Sequence, residues 1–236
     1  MKGIAMNIFK EGFKFPAHFR TLLQKLKGGK YIRQACSYLN ISRKEFYRMV
    51  EQAKELSGNF YNEAQSACYI PHLVWYNRVL HDRNTSWVKI AEVINHYRHP
   101  KVLEFGCGAG CLTQYLLEKK CDFVSYAYDI PSKTLGFAKW RLKNTHFLDA
   151  VSEKDVFDIT ICLSVLEHIP LDECWKTVRL LEKISKRALI INFVRGQGTG
   201  HLQDTQRELS EVEAFLDRCF QKKMKLWAED LFFYER

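Results

Sequence analysis

No run of about 18 consecutive apolar residues occurs in this 236-residue chain, so the sequence predicts no transmembrane helix. The amino terminus carries Lys2 but no apolar core followed by small residues, so no secretory leader is expected. Metal-type and disulfide-type cysteine spacing is also missing. Eight cysteines are present, yet none form C-x-x-C, and the closest pair is Cys107 and Cys111. Several fall inside apolar segments, where a thiol behaves as a small hydrophobe. That usage excludes a disulfide framework and predicts a reducing, cytoplasmic setting. The eight histidines are scattered along the chain, so the sequence predicts no metal cluster. Repeats and low-complexity segments are absent too.

What is present is enough chain for one sizeable α/β domain with a helical extension. Net charge is +9 and unevenly spread: residues 1–60 hold twelve Lys and Arg against four Asp and Glu. The basic character therefore belongs to the first quarter. It reads as a solubilising face, or as a surface for an anionic membrane or a nucleic acid. Phe19, Leu22, Leu23 and Leu26 share one face of a helix predicted over 17–27, which could lie on a membrane or pack on its own protein. Lys30 to Asn40 and Ser42 to Ser57 read as a helix pair, turning at Asn40 within 31–52, with Ser42 and Glu45 as a capping box. That pattern fits a DNA-reading helix-turn-helix or a plain hairpin covering a site. Tyr61 to Asp82 reads as a helix bent at Pro71. Its aromatics, Tyr61 and Tyr69 among them, would be core or the wall of a substrate pocket.

From Lys101 onward, apolar strands alternate with amphipathic helices, which predicts a parallel sheet covered on both faces. The strands are expected at 101–105, 122–128, 145–148, 157–163, 187–193, 223–228 and 231–235. Helices are expected at 110–119, 131–142, 171–185 and 207–219. The link between the third and fourth strands is too short for a full helix. The first strand runs into Gly106-Cys107-Gly108-Ala109-Gly110. Glycines there let the backbone turn tightly and approach a ligand, and the next helix points free N–H groups at it. Asp129 ends the second strand about 20 residues past the glycines, where a carboxylate can accept from both hydroxyls of a ribose.

Val102 to Gly110, with Asp129 and the segment Phe157 to Pro170, resembles the class I S-adenosylmethionine-dependent methyltransferases. The Leu166-Glu167-His168-Ile169 ending is similar to their small-molecule branch, which includes quinone-pathway enzymes. The resemblance spans about Lys101 to Arg236. It implies a Rossmann-like seven-stranded sheet with helices on both faces in residues 99–236. A basic helical region, 1–98, would precede it as a lid. It implies S-adenosyl-L-methionine as cofactor, with Glu104, Gly106, Cys107, Gly108 and Gly110 around its methionine part. Asp129 and Ile130 would meet the ribose, Asp149 and Ala150 the adenine, and Leu163 and Ser164 would flank the cofactor. The acceptor would be a small molecule, methylated on oxygen. His168 is the candidate general base, since imidazole titrates near pH 6.5 or so. Glu167 would orient it, and His201, in a Gly-His-Leu similar to that branch, would help position the substrate. RNA or DNA association, cofactor sensing and a membrane-bound lipid or quinone precursor stay open as alternatives. The loop after the fourth strand lacks the Pro-Pro-aromatic motif of amino-directed base methylases, and no Pro-Cys pair is present. Both absences argue against DNA base methylation. Oligomeric state is not legible.

Overall fold

The computed structural model describes residues 29–55, 69–80, 85–195, 201–227 and 231–236. The helix expected at 17–27, Tyr61 and the loop 196–200 lie outside them. The chain is helical over 29–39 (α1), then over Arg43–Glu55 (α2) and Tyr69–Val74 (α3), which continues as a π-helical segment, Trp75–Leu80. Thr85–His96 forms α4. Asn40 takes φ 53° between α1 and α2, a left-handed turn that asparagine tolerates better than most residues. The Glu45 N–H then donates to the Ser42 hydroxyl at 3.1 Å, a cap satisfying one free donor of the helix.

The rest is strand and helix in alternation. The order is β1 Lys101–Phe105, α5 Cys111–Glu118, β2 Val124–Tyr128, α6 Lys133–Arg141, β3 His146–Phe147 and β4 Phe157–Cys162. A 3-10 turn, Leu166–His168, leads to α7 Leu171–Ile184, β5 Ser185–Asn192, α8 Gln203–Cys219, β6 Lys222–Trp227 and β7 Leu231–Glu235. These strands form one sheet ordered β3-β2-β1-β4-β5-β7-β6. Strands β1 to β5 pair in parallel, and β7 slots antiparallel between β5 and β6. The seven-stranded Rossmann-like sheet read from the sequence is present, with strand ends shifted by at most two residues. Helix α6 starts later than expected because Ser132 caps it, accepting from the Leu135 N–H at 3.1 Å. Pro131 therefore precedes the helix. No helix lies between β3 and β4; a turn closed by Ser152 and Asp155 connects them.

Side-chain alternation along the strands builds two cores. Val102, Ile159, Ile161, Ala188, Ile190 and Phe233 face one side and pack with Ile32, Phe46, Val74, Trp87, Ile90 and Leu112. Leu103, Phe105, Leu189, Ile191 and Phe232 face the other, against Val178 and Leu181 of α7 and Val212 and Leu216 of α8. The amino-terminal helices thus share one continuous core with the sheet. Arg78 fastens them. It is 2% exposed, pairs with Glu118 at 2.6 Å and lies 4.2 Å over the Tyr31 ring. The Tyr31 hydroxyl and Lys30 reach the same Glu118 carboxylate at 2.5 and 2.9 Å. Among the described residues, no helix is long and apolar enough to cross a membrane.

Candidate active site

The sheet order reverses at β1, whose neighbours are β2 on one side and β4 on the other. Crossovers leaving in opposite directions open a crevice at the carboxyl ends of these strands, the usual ligand site of open α/β sheets. A cavity of about 910 Å³ lies there. That is at the upper end of the range of about 300–1,000 Å³ for small-molecule sites, so it has room for a cofactor and an acceptor together.

The floor is the glycine loop. Gly106, Gly108 and Gly110 take φ of 76°, 51° and 68°, the left-handed region that disfavours a Cβ. Space forbids side chains as well. A Cβ on Gly106 would lie 2.2 Å from Val165 Cγ2, and one on Gly110 would lie 2.5 Å from Leu142 Cδ1. Glu104 sits below the loop, accepting from the Thr113 N–H at 3.1 Å and from its hydroxyl. Burial raises its carboxyl from the ordinary 4.5 to about 7, against the lowering pull of the two Thr113 bonds. Arg141 braces the loop from α6. Its guanidinium donates to the Ala109 carbonyl and to Gln114 Oε1, the latter at 2.8 Å. The sequence held no sign of this brace, because a helical arginine ordinarily reads as a solvated charge.

Asp129 stands at the end of β2, half-buried on the cavity wall. Its Oδ2 accepts the Gly108 N–H at 2.6 Å, which couples the carboxylate to the loop. Burial raises its pKa, while the Gly108 and Ile130 N–H groups hold it down. At the β4 end, Ser164 adopts φ 53°, and its N–H donates to Asn192 Oδ1 at 2.7 Å. Asn192, which the sequence did not single out, lines the cavity from the end of β5. Tyr69, Leu73, Asn77 and Trp87 close it from the amino-terminal helices. Burial, and then the Asp129 and Glu167 carboxylates, hold the Tyr69 phenol well above its ordinary pKa.

Of the residues singled out from sequence, Glu104, Gly106, Cys107, Gly108, Asp129, Ile130, Leu163, Ser164, His168 and Tyr69 line this one cavity. Gly110 lies buried behind it. Asp149 and Ala150 are exposed. Asp149 has 97% of its side chain in solvent and a 3.4 Å contact to Lys139, so it does not form the wall. Without a helix between β3 and β4, nothing folds that segment over the crevice. Glu167 and His201 lie beside His168. The sequence predicts no metal cluster, and the fold brings three ligand-type residues near one another at this place. Glu167, His168 and His201 each bring a ligand-type atom within 4.8 Å of the others.

Residues 103–188 match the family described as a methyltransferase domain. The chain's seven-stranded sheet has the Rossmann-like fold of S-adenosylmethionine-dependent methyltransferases. Similar solved structures share this fold. Magnesium protoporphyrin IX methyltransferase from Synechocystis PCC 6803, with bound S-adenosylmethionine, is 20% identical with a TM-score of 0.50, over 67% of this chain and 81% of that one. An O-methyltransferase family protein from Burkholderia thailandensis is 9% identical with a TM-score of 0.55, over 87% and 72%. A small RNA methyltransferase is 17% identical with a TM-score of 0.50, over 65% and 25%. No curated protein matches the sequence.

The cavity fits S-adenosylmethionine on structural grounds. The glycine floor leaves space that a Cβ would fill, the Asp129 carboxylate can accept from a diol, and α5 begins at the loop. The Cys107 thiol is held well above its ordinary pKa by burial, so it offers volume there and not a nucleophile.

Proposed function

We propose that this protein transfers a methyl group from S-adenosylmethionine to the oxygen of a small-molecule acceptor. The observation that carries the reading is one cavity running from Asp129 and the glycine loop to His168. Bound S-adenosylmethionine supplies an activated methyl carbon on a sulfonium. The chain's task is then to align an acceptor with that carbon and to manage one proton. The acceptor oxygen bonds to the methyl carbon as the carbon–sulfur bond breaks and its electron pair stays on sulfur. The hydroxyl proton leaves towards the His168 side. Tyr69, Leu73 and Trp87 of the amino-terminal lid cover the cavity and would exclude water. Their apolar surface favours an acceptor with an apolar body over a phosphate-rich polymer.

The test supplies methyl-labelled S-adenosylmethionine and separate small-molecule, lipid, RNA and protein fractions of the source cells. Label in the small-molecule fraction, lost in Asp129→Ala, is the expected result. Label confined to RNA or protein overturns the acceptor class. Cofactor affinity measured by calorimetry should fall at least about 10-fold in Asp129→Ala, the loss of roughly one charged hydrogen bond. Unchanged affinity would remove Asp129 from the cofactor site.

A further inference from the structure

We infer that Glu167, His168 and His201 form a divalent-cation site in the cavity wall, at the acceptor end. Glu167 is 1% exposed, and among the described residues neither of its carboxylate oxygens has a hydrogen-bond partner. A buried ionised carboxylate without compensation is costly. Two imidazoles stand near it. His168 Nε2 lies 3.8 Å from Glu167 Oε1, and the His168 and His201 rings meet edge to face with centroids 5.0 Å apart. One ligand atom from each of the three residues lies within 4.8 Å of the other two. Ligands each about 2.1 Å from a shared ion stand roughly 3–4 Å apart, so a small contraction of the triangle would bring all three onto one ion.

The triangle is held by backbone and not by chance side-chain contact. The Leu202 N–H donates to the Glu167 carbonyl at 2.9 Å, and the Thr205 hydroxyl donates to the Ile169 carbonyl at 2.8 Å. These bonds pin the start of α8 to the 3-10 turn that carries Glu167 and His168. His201 is thereby fixed against residues far from it in the chain. Two imidazoles and one carboxylate suit a borderline ion such as Zn²⁺, Mn²⁺, Fe²⁺ or Co²⁺ better than Mg²⁺, which prefers oxygen ligands. Three protein ligands leave coordination positions open, the pattern of a catalytic site and not a structural one. His168 lines the cavity, so an ion it holds would adjoin the acceptor.

The binding claim stands on its own; what the ion does rests on the methyl-transfer reading. An ion there would hold the acceptor hydroxyl and lower its pKa. The O–H proton would then pass to water, and His168 would hold the ion instead of taking the proton. No oxidant or reductant is needed, because the cation keeps its charge throughout.

The test titrates Co²⁺ into chelator-treated full-length protein and follows its visible absorption bands, with S-adenosylmethionine affinity measured separately. One equivalent of Co²⁺ should bind with the bands of mixed nitrogen and oxygen ligation. His201→Ala and Glu167→Gln should each weaken binding more than about 10-fold. His201 is half-buried, so His201→Ala carries the test if Glu167→Gln fails to fold. Absence of cobalt bands in the wild type, or bands unchanged in His201→Ala, overturns the site. If the wild type binds S-adenosylmethionine but not Co²⁺, the metal site fails and the methyl-transfer reading stands. Cobalt binding without cofactor binding would keep the metal site and overturn the methyl-transfer reading.

Discussion

A methyl group on Gly106 meets two obstacles at once. The residue holds φ 76°, and its Cβ would press on Val165 Cγ2, a β-branched side chain with little rotamer freedom. Left-handed strain costs about 1–2 kcal/mol and overpacking about 1–3 kcal/mol. Gly106→Ala should therefore lower stability by about 2–5 kcal/mol in denaturant melts and abolish measurable cofactor binding. Adding Val165→Ala should recover the packing share but not the backbone share. Full recovery would mean the backbone conformation carries no cost. Glu104 makes a second prediction at this scale. Its folded pKa of about 7 exceeds the ordinary 4.5, so the folded state holds its proton more tightly than the unfolded chain. Stability from this group is greatest below about pH 4.5, declines between about 4.5 and 7, and is level above. The side chain lines the cavity, where water moderates the effect, so the decline should amount to about 1–3 kcal/mol. Glu104→Gln should flatten that part of a melting-temperature profile. An unchanged slope would assign it to other groups.

At the scale of elements, the contact that matters is between the amino-terminal helices and α5. Burial pushes the Glu118 carboxyl up, but Tyr31, Lys30 and Arg78 outweigh it and hold it below its ordinary pKa. Arg78 has almost no solvent to fall back on; its side chain is 1% exposed, against 31% for Glu118. Removing the carboxylate leaves a buried guanidinium with its bond to the Tyr31 hydroxyl and ring contacts, and no counter-charge. Glu118→Ala should cost about 1–3 kcal/mol, below the range for a fully buried pair because solvent reaches Glu118. Replacing both partners, Arg78→Met with Glu118→Gln, should be milder than Glu118→Ala alone. Urea melts of the three variants decide it, and a double variant worse than the single would show that Arg78 contributes mainly through the Tyr31, Trp87 and Tyr115 rings. Helix α1 also grips α6 through Tyr38, whose ring lies 5.2 Å from Phe137 and 5.6 Å from Trp140. A Cβ on Gly136 would come 2.8 Å from the Tyr38 hydroxyl, which explains a glycine inside α6 where it otherwise weakens a helix.

At the scale of the whole molecule, the sheet separates two tasks. The face covered by α7 and α8 is mostly core, with Glu173 and Thr177 of α7 reaching the cavity. The other face carries the amino-terminal helices, and these supply both core and cavity wall: Val74 and Ile90 are fully buried, while Leu73 and Trp87 line the site. Stability and substrate access are thus linked on that side. A variant loosening the amino-terminal helices through Glu118 should raise the acceptor KM along with lowering the melting temperature, whereas a core variant under α8, such as Leu216→Ala, should lower stability and leave KM unchanged. Equal KM effects in both would dissolve the link.

Much of this was legible along the chain, for a physical reason. Strand alternation, the glycines before α5 and the carboxylate ending β2 are local patterns, and each expresses a short-range rule: a period of two, a left-handed turn, a helix start. They determined the parallel sheet, the glycine floor and Asp129. Asp149 shows where such patterning stops. Its place after β3 matched, yet no helix brings that segment over the crevice, and the side chain stays in solvent. Arg141, Asn192 and the gathering of Glu167 and His168 with His201 were decided only by tertiary structure. Each depends on elements distant in sequence meeting at a few ångströms, and no periodicity within either segment records which partner the other will find.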